Sequence, residues 1–190
     1  MAHARERAAV QRGLALDLAA ATVFAALTAL GARLSFHLPY TPVPVTGQVF
    51  SVLLAGAVLG ARLGFVSQVE YLAAGAAGLP VFAHGGGPAA MLGPTGGYLV
   101  GFPLAALAVG AIAGRAGPRW RVWLACLCGV AVIYAFGGTW FAVWRAATVG
   151  GAGLLVVLAQ SVFPFVAVDV VKAALAASLA PALRRVVRSA

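Results

Sequence analysis

Charged side chains are scarce in this sequence. Only 9% of its 190 residues are charged, against about a quarter in a typical soluble domain, and four are acidic. Hydrophobic residues make up 63%, and the mean hydropathy is +1.00. This composition excludes a soluble globular fold. Because a membrane helix uses about 20 residues, we expect one all-α integral membrane domain over residues 1–190, a bundle of six transmembrane helices with structured extracellular loops and no room for a separate ATPase domain.

Several catalytic and cofactor-binding motifs are also absent. A phosphate-binding loop requires GxxxxGK[ST], but the single lysine, Lys172, lies between Val and Ala, so we expect no ATP hydrolysis. The histidines and the two cysteines form no metal-ligand pattern, and we predict no metal and no cofactor. The arginines form no patch, which argues against a nucleic-acid partner. His84–Gly87 is similar to the oxyanion loop of some esterases, but no GxSxG accompanies it. An intramembrane hydrolase using Ser67 or Ser161 is therefore a remote alternative.

Proline, glycine and arginine clusters divide the apolar sequence into six segments. The first is longer than a signal-peptide core, so we interpret it as a retained span. The second and third are short and share the break GARLG, which leaves a bent pair as the alternative to two full crossings. The predicted spans are 14–34, 48–60, 63–78, 95–113, 120–143 and 164–183.

The arginines are distributed unevenly between the two ends of these spans. Ten of the twelve fall at the end that carries both termini, and only Arg33 and Arg145 fall at the other. The positive-inside bias therefore predicts a multi-pass protein of the cytoplasmic membrane with cytoplasmic N- and C-termini. Three connections then face outward: a proline-rich loop (35–47), a glycine-rich loop (79–94) and an apolar connection (144–163) that suits a short helix. The prolines prevent the first loop from continuing a helix.

Two charged residues lie within the last span. Asp169 and Lys172 are three residues apart and share one helix face. If the helix begins at Pro164, they lie roughly 8 and 12 Å below its outer end. Charges at that depth usually pair, face a polar cavity or contact a ligand. The sequence therefore indicates either a self-neutralising structural pair or a ligand site, in which Lys172 attracts an anionic or carbonyl group and Asp169 accepts hydrogen bonds from N–H groups.

Other polar and small residues have open roles. Glu70 is a second intramembrane carboxylate, for which we consider pairing with Arg33 or Arg145, a place in the same cavity, or proton coupling. A stripe of alanines, at positions 21, 25 and 29 of the first span, permits close helix contact, either within the bundle or with a membrane partner. Hydrogen bonds or aromatic walls are available from Gln48, Thr46, Thr95, Tyr98, Tyr134, Thr139 and Trp140.

Five motifs together carry a resemblance to a known family. They are TPVPVTGQ at Thr41–Gln48, LAGAVLGARLG at Leu54–Gly64, GLPVFAHGGG at Gly78–Gly87, LGPTGGYLVGFPLAA at Leu92–Ala106, and the D-x-x-K of Asp169 and Lys172. With these motifs the chain resembles the BioY family, the substrate-capture (S) component of energy-coupling factor (ECF) biotin transporters. Two features depart from the family pattern: Ala167-Val168 replaces the usual P-G before Asp169, and Glu70 lies where the third helix is usually apolar.

The resemblance implies high-affinity biotin binding from outside and uptake with an ECF coupling subunit and two ATPase subunits. It also implies that the outward loops and the last helix form the pocket, and that the alanine stripe, Ala21, Ala25 and Ala29, docks to the coupling subunit. A solitary gradient-coupled carrier of biotin or a related solute is the alternative, and a structural scaffold would bind no ligand. The predicted substrate-binding residues are Asp169, Lys172, Gln48, Thr46, Tyr98, Gly85 and Gly86.

Overall fold

The computed structural model of the protein describes residues 2–114 and 117–189. Within these residues the chain forms eight α-helices and one short antiparallel β pair, in which Ser35 lies opposite Thr46. The elements in chain order are α1 (Ala2–Arg33), β1 (Ser35–Phe36), β2 (Val45–Thr46), α2 (Gln48–Leu59), α3 (Ala61–Ala76), α4 (Pro88–Met91), α5 (Gly96–Ala113), α6 (Arg119–Thr148), α7 (Leu154–Ser161) and α8 (Phe163–Ser189).

Each predicted span corresponds to a helix, but the helices differ in length. Four segments of the described chain are long and apolar enough to cross a membrane: Gly13–Arg33 of α1, all of α5 and α6, and Phe163–Val187 of α8. With 12 and 16 residues, α2 and α3 extend about 18 and 24 Å, less than the roughly 30 Å hydrocarbon core. They meet at the predicted break, where Gly60 has a φ of 84°. The protein is thus a helical membrane protein with four long helices and one short pair.

Helix α2 lies at the centre of the bundle. Ten of its twelve residues are buried, and it contacts α1, α3, α5 and α8. Glycines allow the backbones to approach closely, because a Cβ atom on Gly56 would lie 2.4 Å from the Ala106 carbonyl oxygen of α5. On Gly110 of α5, a Cβ would lie 2.2 Å from the Ala61 backbone nitrogen. Small residues therefore serve internal packing here.

The alanine stripe of α1 has the same role. Ala21 and Ala25 are 0% and 8% exposed, and Ala29 is half-buried. Helix α1 packs against α2 and α3, so this face lies inside the protein. Ala21 and Ala25 thus pack within the bundle, as the internal-packing alternative expects.

The three connections predicted to face outward meet at one end of the bundle. The Arg33 guanidinium, at the end of α1, donates a hydrogen bond to the Pro80 carbonyl oxygen in the glycine-rich loop. The apolar connection contains the expected short helix, α7. Its Gln160 ties down the proline-rich loop, because Thr41 Oγ1 donates to the Gln160 carbonyl oxygen (2.6 Å) and Gln160 Nε2 donates to the Tyr40 carbonyl oxygen (3.3 Å).

Candidate functional site

A cavity lies beneath the proline-rich and glycine-rich loops. It contains about 560 Å³ of space that protein atoms do not fill, part of it open to solvent. Helices α2, α5, α6 and α8 supply its sides. Its lining consists of Val43, Pro44, Val45, Thr46, Gln48, Val49, Phe82, Ala83, Thr95, Tyr98, Leu99, Phe102, Ile133, Tyr134, Phe165, Asp169 and Lys172.

A buried ion pair forms the charged part of the lining. Asp169 is 2% exposed, and its Oδ1 accepts a hydrogen bond of 2.6 Å from Lys172 Nζ. Its Oδ2 accepts a second of 2.7 Å from the Tyr134 hydroxyl on α6. Both carboxylate oxygens therefore have donors, as a buried charge requires. An ammonium group has three donors, so Lys172 can bond a ligand while it retains Asp169.

Three neutral polar side chains are held in the lining by neighbouring groups. Gln48 Nε2 donates to the Tyr71 hydroxyl, which itself donates to the Val81 carbonyl oxygen of the glycine-rich loop. The Thr46 hydroxyl accepts a hydrogen bond from the Gln48 backbone N–H. The Tyr98 hydroxyl donates to the backbone carbonyl of Ser161 at the end of α7. These bonds fix where each side chain can meet a ligand.

Apart from Thr95, the remaining lining residues are apolar, and they were not predicted. Phe102, Ile133 and Phe165 come from three long helices, while Val43 and Phe82 come from the two loops. In a membrane helix, apolar residues face lipid and interior alike, so the sequence contains no signal that singles these out. Only the polar residues, which avoid lipid, were recognisable.

Two predicted binding residues, Gly85 and Gly86, do not line the cavity. They form the turn of the glycine-rich loop that directs Phe82 toward the cavity. Gly85 has a φ of 104°, which favours glycine, and its N–H and carbonyl bond Phe82 (3.1 and 2.8 Å). A Cβ on Gly86 would lie 2.1 Å from the Leu79 carbonyl oxygen. Their role is to place Phe82 over the cavity.

A histidine pair joins the two loops. His37 of the proline-rich loop and His84 of the glycine-rich loop have Nε2 atoms 3.2 Å apart, and their rings meet edge to face. Partial burial, and then the proximity of His37, lower the pKa of His84. Because one of the two Nε2 atoms must accept the hydrogen bond, at least one ring is neutral.

Glu70 lies away from the cavity. Neither predicted ion pair forms, because Arg33 bonds Pro80 and Arg145 donates to the Gly150 carbonyl oxygen. Glu70 Oε2 instead lies 3.0 Å from the Thr22 hydroxyl of α1. Glu70 is also absent from the residues that line the cavity, so the second predicted role does not apply. The third role, proton coupling, stays a prediction.

Long apolar helices around a cavity that has polar side chains and a buried ion pair in its wall define a helical membrane protein with a candidate small-molecule site. The chain belongs to the BioY family, whose family model matches residues 4–189.

Related proteins cover almost the whole chain. A probable biotin transporter BioY of Pyrococcus horikoshii is 42% identical over 171 residues, which span 90% of this chain and 97% of that protein. The biotin transporter BioY of Rhizobium etli is 37% identical, with 88% and 92% covered. A crystal structure of the S-component for biotin from an ECF-type ABC transporter superposes with a TM-score of 0.79 at 24% identity, covering 94% of both chains. That structure shows that the two folds are alike.

Proposed function

We propose that this protein binds biotin with high affinity and takes it up across the cytoplasmic membrane as the S component of an ECF transporter. The observation that carries this proposal is the cavity that contains Asp169, Lys172 and Tyr134 in a chain of the BioY family. Biotin is a suitable ligand because its fused rings need apolar walls and its ureido group offers both N–H donors and a carbonyl acceptor. Its carboxylate is stabilised by a nearby cation, which Lys172 can supply.

The remaining parts of the proposal concern topology and partners. In this proposal six of the eight described helices, α1, α2, α3, α5, α6 and α8, cross the membrane, with both termini in the cytoplasm and the cavity opening outward. Because the sequence has no phosphate-binding loop, an ECF coupling subunit and two ATPase subunits supply the energy. The capture step is closure of the two loops over biotin, and reorientation of the bundle against the coupling subunit then delivers it.

Equilibrium binding of biotin to the detergent-purified protein tests the proposal. We expect saturable binding by the wild type and a loss of roughly 100-fold or more in Lys172→Met, because truncating a charged group that hydrogen-bonds a buried ligand costs about 2–5 kcal/mol of binding free energy. Ser178→Ala is the matched control on the same helix, since its exposed hydroxyl bonds only its own turn, at Ala174 O. Absence of saturable binding by well-folded wild type would sink the assignment to biotin.

The ligand group that meets Lys172 can be identified with an analogue. In biotin amide, a neutral group replaces the carboxylate and the ureido ring is intact. If Lys172 bonds the carboxylate, the wild type prefers biotin to the amide and Lys172→Met loses that preference. If Lys172 bonds the ureido carbonyl, both ligands weaken equally in the variant.

A pair of adjacent glycines in α6 tests the cavity wall. A Cβ on Gly137 would lie 2.4 Å from the Tyr98 ring, whereas on Gly138 its nearest neighbours are at 3.6 Å. Gly137→Ala therefore displaces the Tyr98 ring and breaks its bond to Ser161, and we expect biotin affinity to fall about tenfold, or roughly 1.4 kcal/mol. Gly138→Ala is the control and should bind as the wild type does. Equal affinities in the two variants would contradict this position for Tyr98.

The histidine pair predicts a pH dependence of biotin binding. The pKa of His84 lies below its ordinary 6.5 when the loops are together, so the joined state binds fewer protons than the separated state. Its stability is complete above about pH 6.5 and is lost as the pH falls through the lowered pKa. We expect biotin dissociation to accelerate over that acidic range in the wild type and to do so less in His84→Gln. Stopped-flow measurements of the dissociation rate check this. If the rate depends on pH equally in both proteins, the effect belongs to another group.

A further inference from the structure

Two histidines from different loops meet beside the cavity. His37 of the proline-rich loop and His84 of the glycine-rich loop are 47 residues apart in sequence, yet their Nε2 atoms are 3.2 Å apart. Both side chains are exposed, so an ion from solution can reach them. His84 directly follows Ala83, which lines the cavity. A group bound to both rings therefore links the two loops next to the ligand site.

The spacing of the two nitrogens suits a shared transition-metal ion. In a tetrahedral site the Zn–N distance is about 2.0–2.1 Å, which places two ligand nitrogens about 3.3 Å apart. An ion on the axis of both rings would place the ring centroids about 5.2 Å apart, and in this protein they are 5.4 Å apart. Each Nε2 would present a lone pair to the ion, with the ring proton on Nδ1. Small movements of the rings are therefore enough to exchange their hydrogen bond for a metal ion.

The backbone holds each histidine independently of the other. His37 directly follows β1, which pairs with β2. His84 lies within a turn that is closed by two backbone hydrogen bonds between Phe82 and Gly85. The two ligands are therefore close together before an ion binds, and little loss of conformational freedom opposes its binding.

The chemistry of the pair determines which ions bind and how firmly. Imidazole nitrogen suits Zn²⁺, Cu²⁺ and Ni²⁺, whereas Mg²⁺ and Ca²⁺ require oxygen ligands. Among the residues that the structure describes, no group of three or more His, Cys, Asp or Glu side chains could hold a metal ion. Water must therefore complete the coordination. A site with only two protein ligands exchanges its ion with the solution.

We propose that His37 and His84 form an exchangeable binding site for a divalent transition-metal ion such as Zn²⁺, which links the proline-rich loop to the glycine-rich loop. An ion that binds the joined loops more tightly than the separated loops shifts the equilibrium toward the joined state. The ion thereby slows the exchange of biotin, a consequence that rests on the proposed function. The metal site itself does not depend on biotin.

Titration of the protein with Zn²⁺ alone tests the site. Untagged, chelator-treated protein in detergent is titrated in a calorimeter, without biotin. We expect saturable binding of a single Zn²⁺ per chain, lost in both His37→Gln and His84→Gln because each removes half of the protein ligands. The matched controls are His3→Gln, which removes the remaining histidine, and Cys128→Ser, which removes an exposed thiol. Both should bind Zn²⁺ as the wild type does.

The thermal midpoint without Zn²⁺ separates loss of the site from loss of the fold. Because His37 and His84 are exposed, their variants should unfold near the wild-type midpoint, and Zn²⁺ should raise the midpoint of the wild type alone among these three proteins. Absence of saturable Zn²⁺ binding by the wild type, or equal binding by the wild type and His84→Gln, would overturn the proposal.

Biotin dissociation measures the effect of the ion on capture. At a free Zn²⁺ concentration about ten times its Kd, the joined state gains about tenfold over the separated state. We expect the wild-type dissociation rate to fall by a similar factor, EDTA to restore it, and His84→Gln to show no effect of Zn²⁺. An unchanged rate in wild type that binds Zn²⁺ would overturn the link to biotin exchange. If the protein binds Zn²⁺ but no biotin, the proposed function fails and the metal site stands.

Discussion

Asp169→Asn is expected to lose both stability and biotin binding. The substitution removes the charge that neutralises Lys172, whose side chain is 13% exposed. Breaking a buried pair by removing one partner costs about 3–5 kcal/mol. It also releases Lys172 and Tyr134 from the positions that the carboxylate oxygens define. We expect biotin affinity to fall more than about 100-fold and the midpoint of thermal unfolding in detergent to decrease clearly.

A double variant separates the two effects. In Asp169→Leu with Lys172→Met, both charges are replaced by apolar groups of similar size, which is often neutral or stabilising for a buried pair. We expect the thermal midpoint to return to near the wild-type value while biotin binding stays absent. If instead the double variant binds biotin, the pair is structural and the ligand contacts lie elsewhere in the cavity.

Gly110→Val is expected to have the largest effect on stability. A Cβ at this position would lie 2.2 Å from the Ala61 nitrogen and 2.3 Å from the Gly60 carbonyl carbon. Both atoms belong to the backbone of the turn between α2 and α3, so no side chain can rotate away. Because α2 is the buried centre of the bundle, displacing this turn disturbs the whole core. We expect a loss of about 3 kcal/mol or more, read as a lower thermal midpoint and a shorter half-life in detergent.

The control for this prediction is Gly151→Ala, because a Cβ on Gly151 meets nothing within 4 Å. That variant should unfold like the wild type. Equal stability of Gly110→Val and Gly151→Ala would show that α5 and the α2–α3 turn do not approach as closely as the structure has them.

The sequence predicted the polar residues of the site, because contact between polar side chains and lipid is unfavourable. Asp169, Lys172, Gln48, Thr46 and Tyr98 all line the cavity, because polar groups in an apolar chain need an interior place. The six helical segments were also predicted, since proline and glycine mark their ends.

Other features could not be read from the sequence because the same residue type serves two purposes. The spacing of Ala21 and Ala25 suits contact with a partner or with α2 and α3, and only the fold shows the second. Glycine likewise permits either a ligand contact or a tight turn, and Gly86 belongs to a turn. The shortness of α2 and α3 depends on where the chain bends at Gly60, which hydropathy alone does not fix.

The attachment of the proline-rich loop has a thermodynamic consequence. The loop is held by the β1–β2 pair, by Gln160 and by His84 before any ligand is present, and its prolines restrict the unbound chain further. Ordering a free backbone costs about 1–2 kcal/mol per residue in conformational entropy. Most of that cost is met during folding, so little of it opposes ligand capture. A small solute with few polar groups can therefore bind tightly, because its contacts do not also have to order a flexible loop.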